Sequence, residues 1–350
     1  MLLLGGRLID LDPERRELEP ADLAVDLGGD GVHPRTEPAR APDELLDAER
    51  LQRERHVHDR RRVALGRDRH RLVVHPRHPG RDAYVREPRL LGRERRGIVE
   101  GLAQDEVGGA LPIINGVWAD GSLEAARIAR MAEEGGAAAR LVFPPAPFTL
   151  GQSPAMAVEH FERVADASSL PLIAFQYPLA TGQGYPRETL LKMIEAVPTI
   201  RAIKDWSGNV AQHEMHVREL QSLPRPVNVL STHSAWLLSS LVLGCKGLLS
   251  GSGSVIADLQ AALFAAVRRN DIAEARRLND RIYPLARAFY AEPWADMHNR
   301  MKESLVLLGR LPRAVVRPPL VKLSRTEIDR IRAALVEAGL LAAKSSRDAA

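Results

Sequence analysis

A chain of 350 residues with 45% hydrophobic residues is long enough to bury one large core or two smaller ones. No apolar run reaches the roughly 20 residues of a membrane helix, so no membrane partner is expected. The net charge of +4 says little alone, because it is unevenly spread. Cys245 is the only cysteine, which rules out an intrachain disulfide and makes a reducing cytoplasm the expected compartment. The opening MLLLGGRLIDLDPERR has too short an apolar stretch for a secretory signal.

Residues 1–50 carry six arginines against thirteen acids, and residues 51–96 carry fifteen arginines against six acids with five histidines besides. The first hundred residues contain no Phe, Trp, Lys, Ser or Asn and a single tyrosine, Tyr84. RERHVHDRRRVALGRDRHRLVVHPRHPGRDAYVREPR shows neither a helical period nor strand alternation, and so few large apolar side chains hardly offset the entropy of ordering the segment. Three readings compete. Arginine clusters suit a nucleic-acid arm, but the interleaved aromatics and helix-turn-helix pattern are missing. His56-Val57-His58 has the spacing of a metallohydrolase first strand, but the preceding ERLQRER is too polar for a buried strand. The third reading, Arg/Pro/His/Gly/Asp-rich sequence from a GC-rich gene read in a shifted frame, fits best.

From about residue 93 the character changes. RERRGIVEGLAQDEVGG predicts an amphipathic helix ending in glycines. Six apolar runs follow: LPIING (111–116), ARLVFPP (139–145), LPLIAFQY (170–177), IRAIKD (200–205), VNVLST (227–232) and GLLSG (247–251). They read as strands of a parallel sheet buried on both faces. SLEAARIARMAEEGG and SPAMAVEHFERVADASS between them have helical spacing and open on serine. Starts 20 to 31 residues apart are the spacing of βα units. The pattern predicts an α/β fold, either a (β/α)8 TIM barrel with two poorly supported first strands or a doubly wound sheet. The absence of G-x-G-x-x-G after the first strand weakens a dinucleotide-binding fold. Only MLLLGGRLIDL and RLVVHP are candidates for the two extra barrel strands. Helices over about 255–269, 271–291, 298–309 and 324–340 would close the chain. The expected organisation is an atypical segment 1–92, a barrel 93–269, a C-terminal helical region 270–341 and a tail 342–350.

In a barrel the strand C-termini face the active site, which places Asn115, Pro144, Tyr177, Lys204, Thr232 and Ser250 near one mouth. Lys204 would then point inward at a strand end. Between apolar walls its amine would lose its proton near neutrality and could attack a carbonyl to form a Schiff base. The alternative is a structural ion pair with Asp205 or another carboxylate.

Residues from about 93 to 325 resemble the dihydrodipicolinate synthase / N-acetylneuraminate lyase family of class I aldolases. The resemblance rests on LPIINGVWADGSLEAARIARMAEEGGA, IKDWSGN, LGCKGLLSGSGSV and VRPPLVKLS. It implies a (β/α)8 barrel with C-terminal helices, usually a homotetramer, acting on pyruvate or a related 2-oxo acid and an aldehyde without metal or organic cofactor. IKDWSGN aligns with the family's Schiff-base motif, making Lys204 the imine-forming lysine. Phe175-Gln176-Tyr177-Pro178 aligns with the motif Y-N-V-P, so Phe175 stands where the catalytic tyrosine is expected. Tyr177, two residues on and on the same face by strand alternation, either substitutes for it or is a rim tyrosine. Ala180 replaces an arginine that holds the second substrate's carboxylate in the synthase proper, which argues against the lysine-pathway reaction. The carboxylate motif G-x-T-G-E occurs nowhere in the chain. Thr232 and Leu249 align with positions lining the pyruvate pocket. Ser250-Gly251-Ser252-Gly253-Ser254 leads into a helix whose free N–H groups could hold an anion, or is a plain βα turn. A Schiff-base lyase is therefore the leading expectation, and a catalytically impaired family member the alternative.

Overall fold

The computed structural model describes residues 111–342; the arginine-rich segment, the helix expected over 93–109 and the two candidate extra strands lie outside them. Six strands form one parallel sheet: β1 (Ile114–Val117), β2 (Ala139–Val142), β3 (Leu172–Gln176), β4 (Ile200–Asp205), β5 (Asn228–Ser231) and β6 (Gly247–Leu248). Their spatial order is their chain order. A doubly wound sheet reverses direction at a switch point; this sheet has none, and it forms the singly wound arc of a (β/α)8 barrel.

Between the strands lie α1 (Ser122–Glu134), α2 (Pro154–Asp166), α3 (Arg187–Ala196), α4 (Val210–Leu220) and α5 (Leu237–Val242). After β6 come α6 (Gly253–Arg268), α7 (Ile272–Phe289), α8 (Met297–Leu307) and α9 (Arg325–Glu337). Ser153 caps α2 by accepting from the Met156 N–H. Ser122 is the first helical residue of α1 and caps nothing there; its hydroxyl meets His160 Nδ1 at 3.0 Å on α2.

Strand alternation separates two apolar layers. Val117, Val142, Ala174, Ile203 and Val229 face outward and pack with Ile128, Phe161, Leu190, Met193 and Val217 of the helices. Ile173, Ala202 and Leu249, with Ile114, Leu141 and Leu230, face inward. A register shift makes this possible in β4: Leu172 pairs with Ile200, but Ile173 pairs with Ala202. The extra residue, Arg201, reverses the alternation, so Ile200 faces the helices while Ala202 and Lys204 face inward. A third apolar cluster joins α5 and α6 to α7, α8 and α9.

Candidate active site

Because the strands are parallel, their C-terminal ends share one edge of the sheet. Lys204 is the penultimate residue of β4 and lies in register with Phe175 of β3 and Leu230 of β5. Its Nζ stands 4.2 Å from the centre of the Phe175 ring. Burial among these groups lowers its pKa from 10.5 to about 8. The side chain keeps partial access to solvent.

Asp205, the next residue, points the opposite way. Its carboxylate is fully buried on the outer face and bonded to His213 Nδ1 and His216 Nδ1, both at 2.8 Å, and to the Ser207 N–H. It forms no ion pair with Lys204, because adjacent strand residues face opposite sides. Among the described residues no carboxylate is in an ion pair with Lys204.

Aromatic rings line the Lys204 side. Phe143 meets Phe175 at 5.0 Å between centres, Phe175 meets Tyr177 at 4.5 Å, Tyr177 meets Trp206 at 5.3 Å, and Trp206 meets Trp294 at 5.7 Å. Tyr177 thus sits on the same side as Phe175, and burial raises its pKa. Its backbone is tightly held. The buried Gln176 amide donates to the carbonyls of Tyr177 and Tyr185 and accepts from the Tyr185 N–H. Gly184 passes so close that a Cβ there would lie 2.4 Å from the Tyr177 carbonyl oxygen. Ala180 is exposed in the short turn Leu179–Thr181.

The other sequence-predicted residues gather at the same edge with different surroundings. Leu249 packs inside with Ile173 and Ala202. Thr232 follows Leu230 by two positions, and its N–H bonds the Asp205 carbonyl at 3.2 Å. Ser250 is fully buried, and its hydroxyl meets Ser234 Oγ at 2.6 Å and Ser252 Oγ at 3.0 Å. Gly251 allows the Tyr290 hydroxyl to approach; a Cβ would stand 3.1 Å from it. Tyr290 in turn receives hydrogen bonds from Ser234 Oγ and the Ser252 N–H, both 3.1 Å. The N–H groups of Gly253, Ser254 and Val255 bond carbonyls of their own turn, so an anion at this helix start would have to displace them.

Trp294, Tyr290 and His298 come from the C-terminal helices, more than eighty residues from Lys204, and no local pattern in the sequence marks them. Desolvation of the His298 ring, and after it the charges of Lys204 and Lys302, lower its pKa. Arg300 holds this region together. Fully buried on α8, it donates to the carbonyls of Phe289, Ala291, Glu292 and Pro293, immediately before Trp294.

A singly wound parallel sheet with a desolvated lysine at the C-terminal end of an interior strand defines a protein of the (β/α)8-barrel class. Residues 87–338 match the model of the Dihydrodipicolinate synthetase family, and the chain belongs to that family. It is 32% identical over 254 residues to 4-hydroxy-tetrahydrodipicolinate synthase of Nitrobacter hamburgensis, covering 73% of this chain and 82% of that one. It is 26% identical over 255 residues to the enzyme of the same name from Maridesulfovibrio salexigens, covering 73% and 84%. Among solved structures, YagE, a prophage protein of the dihydrodipicolinic acid synthase family from E. coli K12 solved with pyruvate, superposes with a TM-score of 0.66 at 25% identity, over 72% of this chain and 83% of that one. Dihydrodipicolinate synthase of Thermotoga maritima superposes with a TM-score of 0.66 at 21% identity, over 72% and 83%.

Proposed function

We propose that the protein is a Schiff-base lyase or aldolase acting on pyruvate or a related 2-oxo acid, with Lys204 as the imine-forming residue. The observation that carries this reading is the Lys204 amine: inward-facing, desolvated to a pKa of about 8, and in no ion pair with a described carboxylate. The free amine attacks the ketone carbon of the 2-oxo acid, and loss of water leaves a protonated imine. That cation draws electrons from the adjacent carbon. Loss of a proton there gives an enamine that adds to an aldehyde. In the reverse direction, the bond between that carbon and a carbinol carbon breaks, and the carbinol proton is removed as the aldehyde leaves.

Tyr177 is the proposed proton carrier, from its place beside Phe175 on the Lys204 side. Thr232, Leu249, Ser250 and Gly251 shape the adjoining strand ends. The acceptor is an aldehyde, and Ala180 in place of the family's arginine favours one other than the lysine-pathway substrate. No cofactor is required by this chemistry; a homotetramer is part of the reading on family grounds, and a cytoplasmic setting on the single cysteine.

A specific observation favours the alternative of an impaired member. Phe175, at the family's tyrosine position, presents a ring face to Lys204 and cannot relay a proton, and G-x-T-G-E is absent from the chain. Borohydride reduction in the presence of pyruvate, read by peptide mass spectrometry, separates the two. A pyruvyl adduct on the Lys204 peptide, lost in Lys204→Ala, supports the lyase. No adduct on folded protein leaves the impaired reading.

A further inference from the structure

On the outer face of β4, behind Lys204, three histidines surround Asp205. His213 and His216 lie three residues apart on one face of α4 and direct Nδ1 at the same carboxylate oxygen. His233, in the loop after β5, directs Nε2 at the other oxygen from 3.9 Å, beyond hydrogen-bond reach. All four residues are more than nine-tenths buried. The Nε2 atoms of His213, His216 and His233 have no hydrogen-bond partner. Those of His213 and His216 lie on the ring edge away from Asp205, which bonds Nδ1, so His233 Nε2 is the unpartnered nitrogen aimed at the carboxylate.

One donor atom from each of Asp205, His213 and His233 lies within 4.8 Å of the other two. From these residues we propose a structural site for a first-row divalent metal ion of the zinc class, with Asp205, His213 and His233 as its ligands. His216 stands outside that set and orients the carboxylate by its Nδ1–H, the arrangement that steadies metal-bound ligands. The donor set selects the ion: imidazole nitrogen with one carboxylate suits zinc, cobalt or nickel, whereas calcium and magnesium take oxygen ligands. Tetrahedral zinc bonds of about 2.0–2.2 Å place ligand atoms about 3.4 Å apart, so separations of up to 4.8 Å close by at most about 1.4 Å while the 2.8 Å His213–Asp205 pair opens slightly. The three ligands belong to β4, α4 and the loop after β5. An ion held by them would clamp the end of β4 from behind while Lys204 occupies its other face. This site is independent of the lyase chemistry, and no step of that reaction passes through it.

The test uses the full chain, stripped with chelator and then titrated with Zn2+ and with Co2+. Metal content, the visible absorption of bound Co2+ and thermal unfolding are the readouts, none of which depends on activity. The expected result is about one tightly bound ion, a rise in Tm on adding metal, and affinity at least about 10-fold weaker in His233→Gln and His213→Gln. His56→Ala/His58→Ala, outside the described residues, should keep the ion. Folded protein that binds no stoichiometric metal overturns the proposal. Binding untouched by His233→Gln and His213→Gln does so as well. Should both variants misfold, the zinc X-ray absorption spectrum of the wild-type protein decides: imidazole ligation supports the site, and a spectrum without imidazole ends it.

Discussion

Lys204 Nζ stands 4.2 Å over the ring of Phe175, its register partner on the neighbouring strand. The two influences on the amine oppose each other. Burial lowers its pKa to about 8, whereas the ring face stabilises the ammonium by about 0.5–2 kcal/mol. Removing the ring should therefore lower the pKa further. In Phe175→Leu the pH midpoint of borohydride trapping should move down by about 0.4 to 1.5 units. A midpoint that stays put would show that the ring does not tune the amine.

In the wild-type protein, trapping should rise with pH and level off above about 8, because only the unprotonated amine attacks. The same shift sets a stability trade-off. Between pH 8 and 10.5 the unfolded chain holds a proton that the folded chain has lost, so stability rises with pH across that window. Below pH 8 both states are protonated, and the folded state carries the whole penalty of the desolvated ammonium. Lys204→Met should therefore stabilise the protein at pH 7 by on the order of 1–2 kcal/mol, discounted for the side chain's partial exposure. The advantage should shrink as pH rises past 8. Urea unfolding of both proteins at pH 7 and pH 9.5 measures it.

Tyr177 lies beside Phe175 with its pKa raised by burial, so near neutrality it carries a proton to give. Tyr177→Phe should leave imine trapping within a few-fold of wild type and reduce turnover about 100-fold or more. Full turnover in the variant would return Tyr177 to a packing role.

The loop that carries Tyr177 depends on a missing side chain. A Cβ at Gly184 would meet the Tyr177 carbonyl oxygen at 2.4 Å, and backbone must give way. Gly184→Ala should cost about 1–3 kcal/mol and lower turnover by displacing Tyr177. Equal stability and activity in the variant would show that the loop adapts freely.

Arg300 gathers four carbonyls of the segment leading to Trp294. Arg300→Met would leave buried acceptors unpaired, at about 1–3 kcal/mol for each one that water cannot reach. The expected outcome is a clear loss of Tm together with quenching changes in Trp294 fluorescence. An unchanged Tm would mean that the segment finds other partners.

The sequence by itself determined the elements. Continuous apolar runs become buried parallel strands, and IRAIKD becomes β4 residue for residue, because hydrophobic period and capping are local properties of the chain. It also singled out Lys204, through its place at the end of an apolar run and the resemblance of IKDWSGN to the family motif, while leaving a structural ion pair open. Strand alternation already put Tyr177 on the face of Phe175, but only the tertiary structure showed how β4 comes to turn Lys204 inward. The bulge at Arg201 turns Lys204 inward and Asp205 toward the helices, and no composition or spacing reports a one-residue shift between two paired strands. It likewise brought Trp294 and His298 to the Lys204 mouth and His233 to Asp205. Those meetings join residues far apart in the chain, and they exist only once the strands have been set in register and the C-terminal helices have docked.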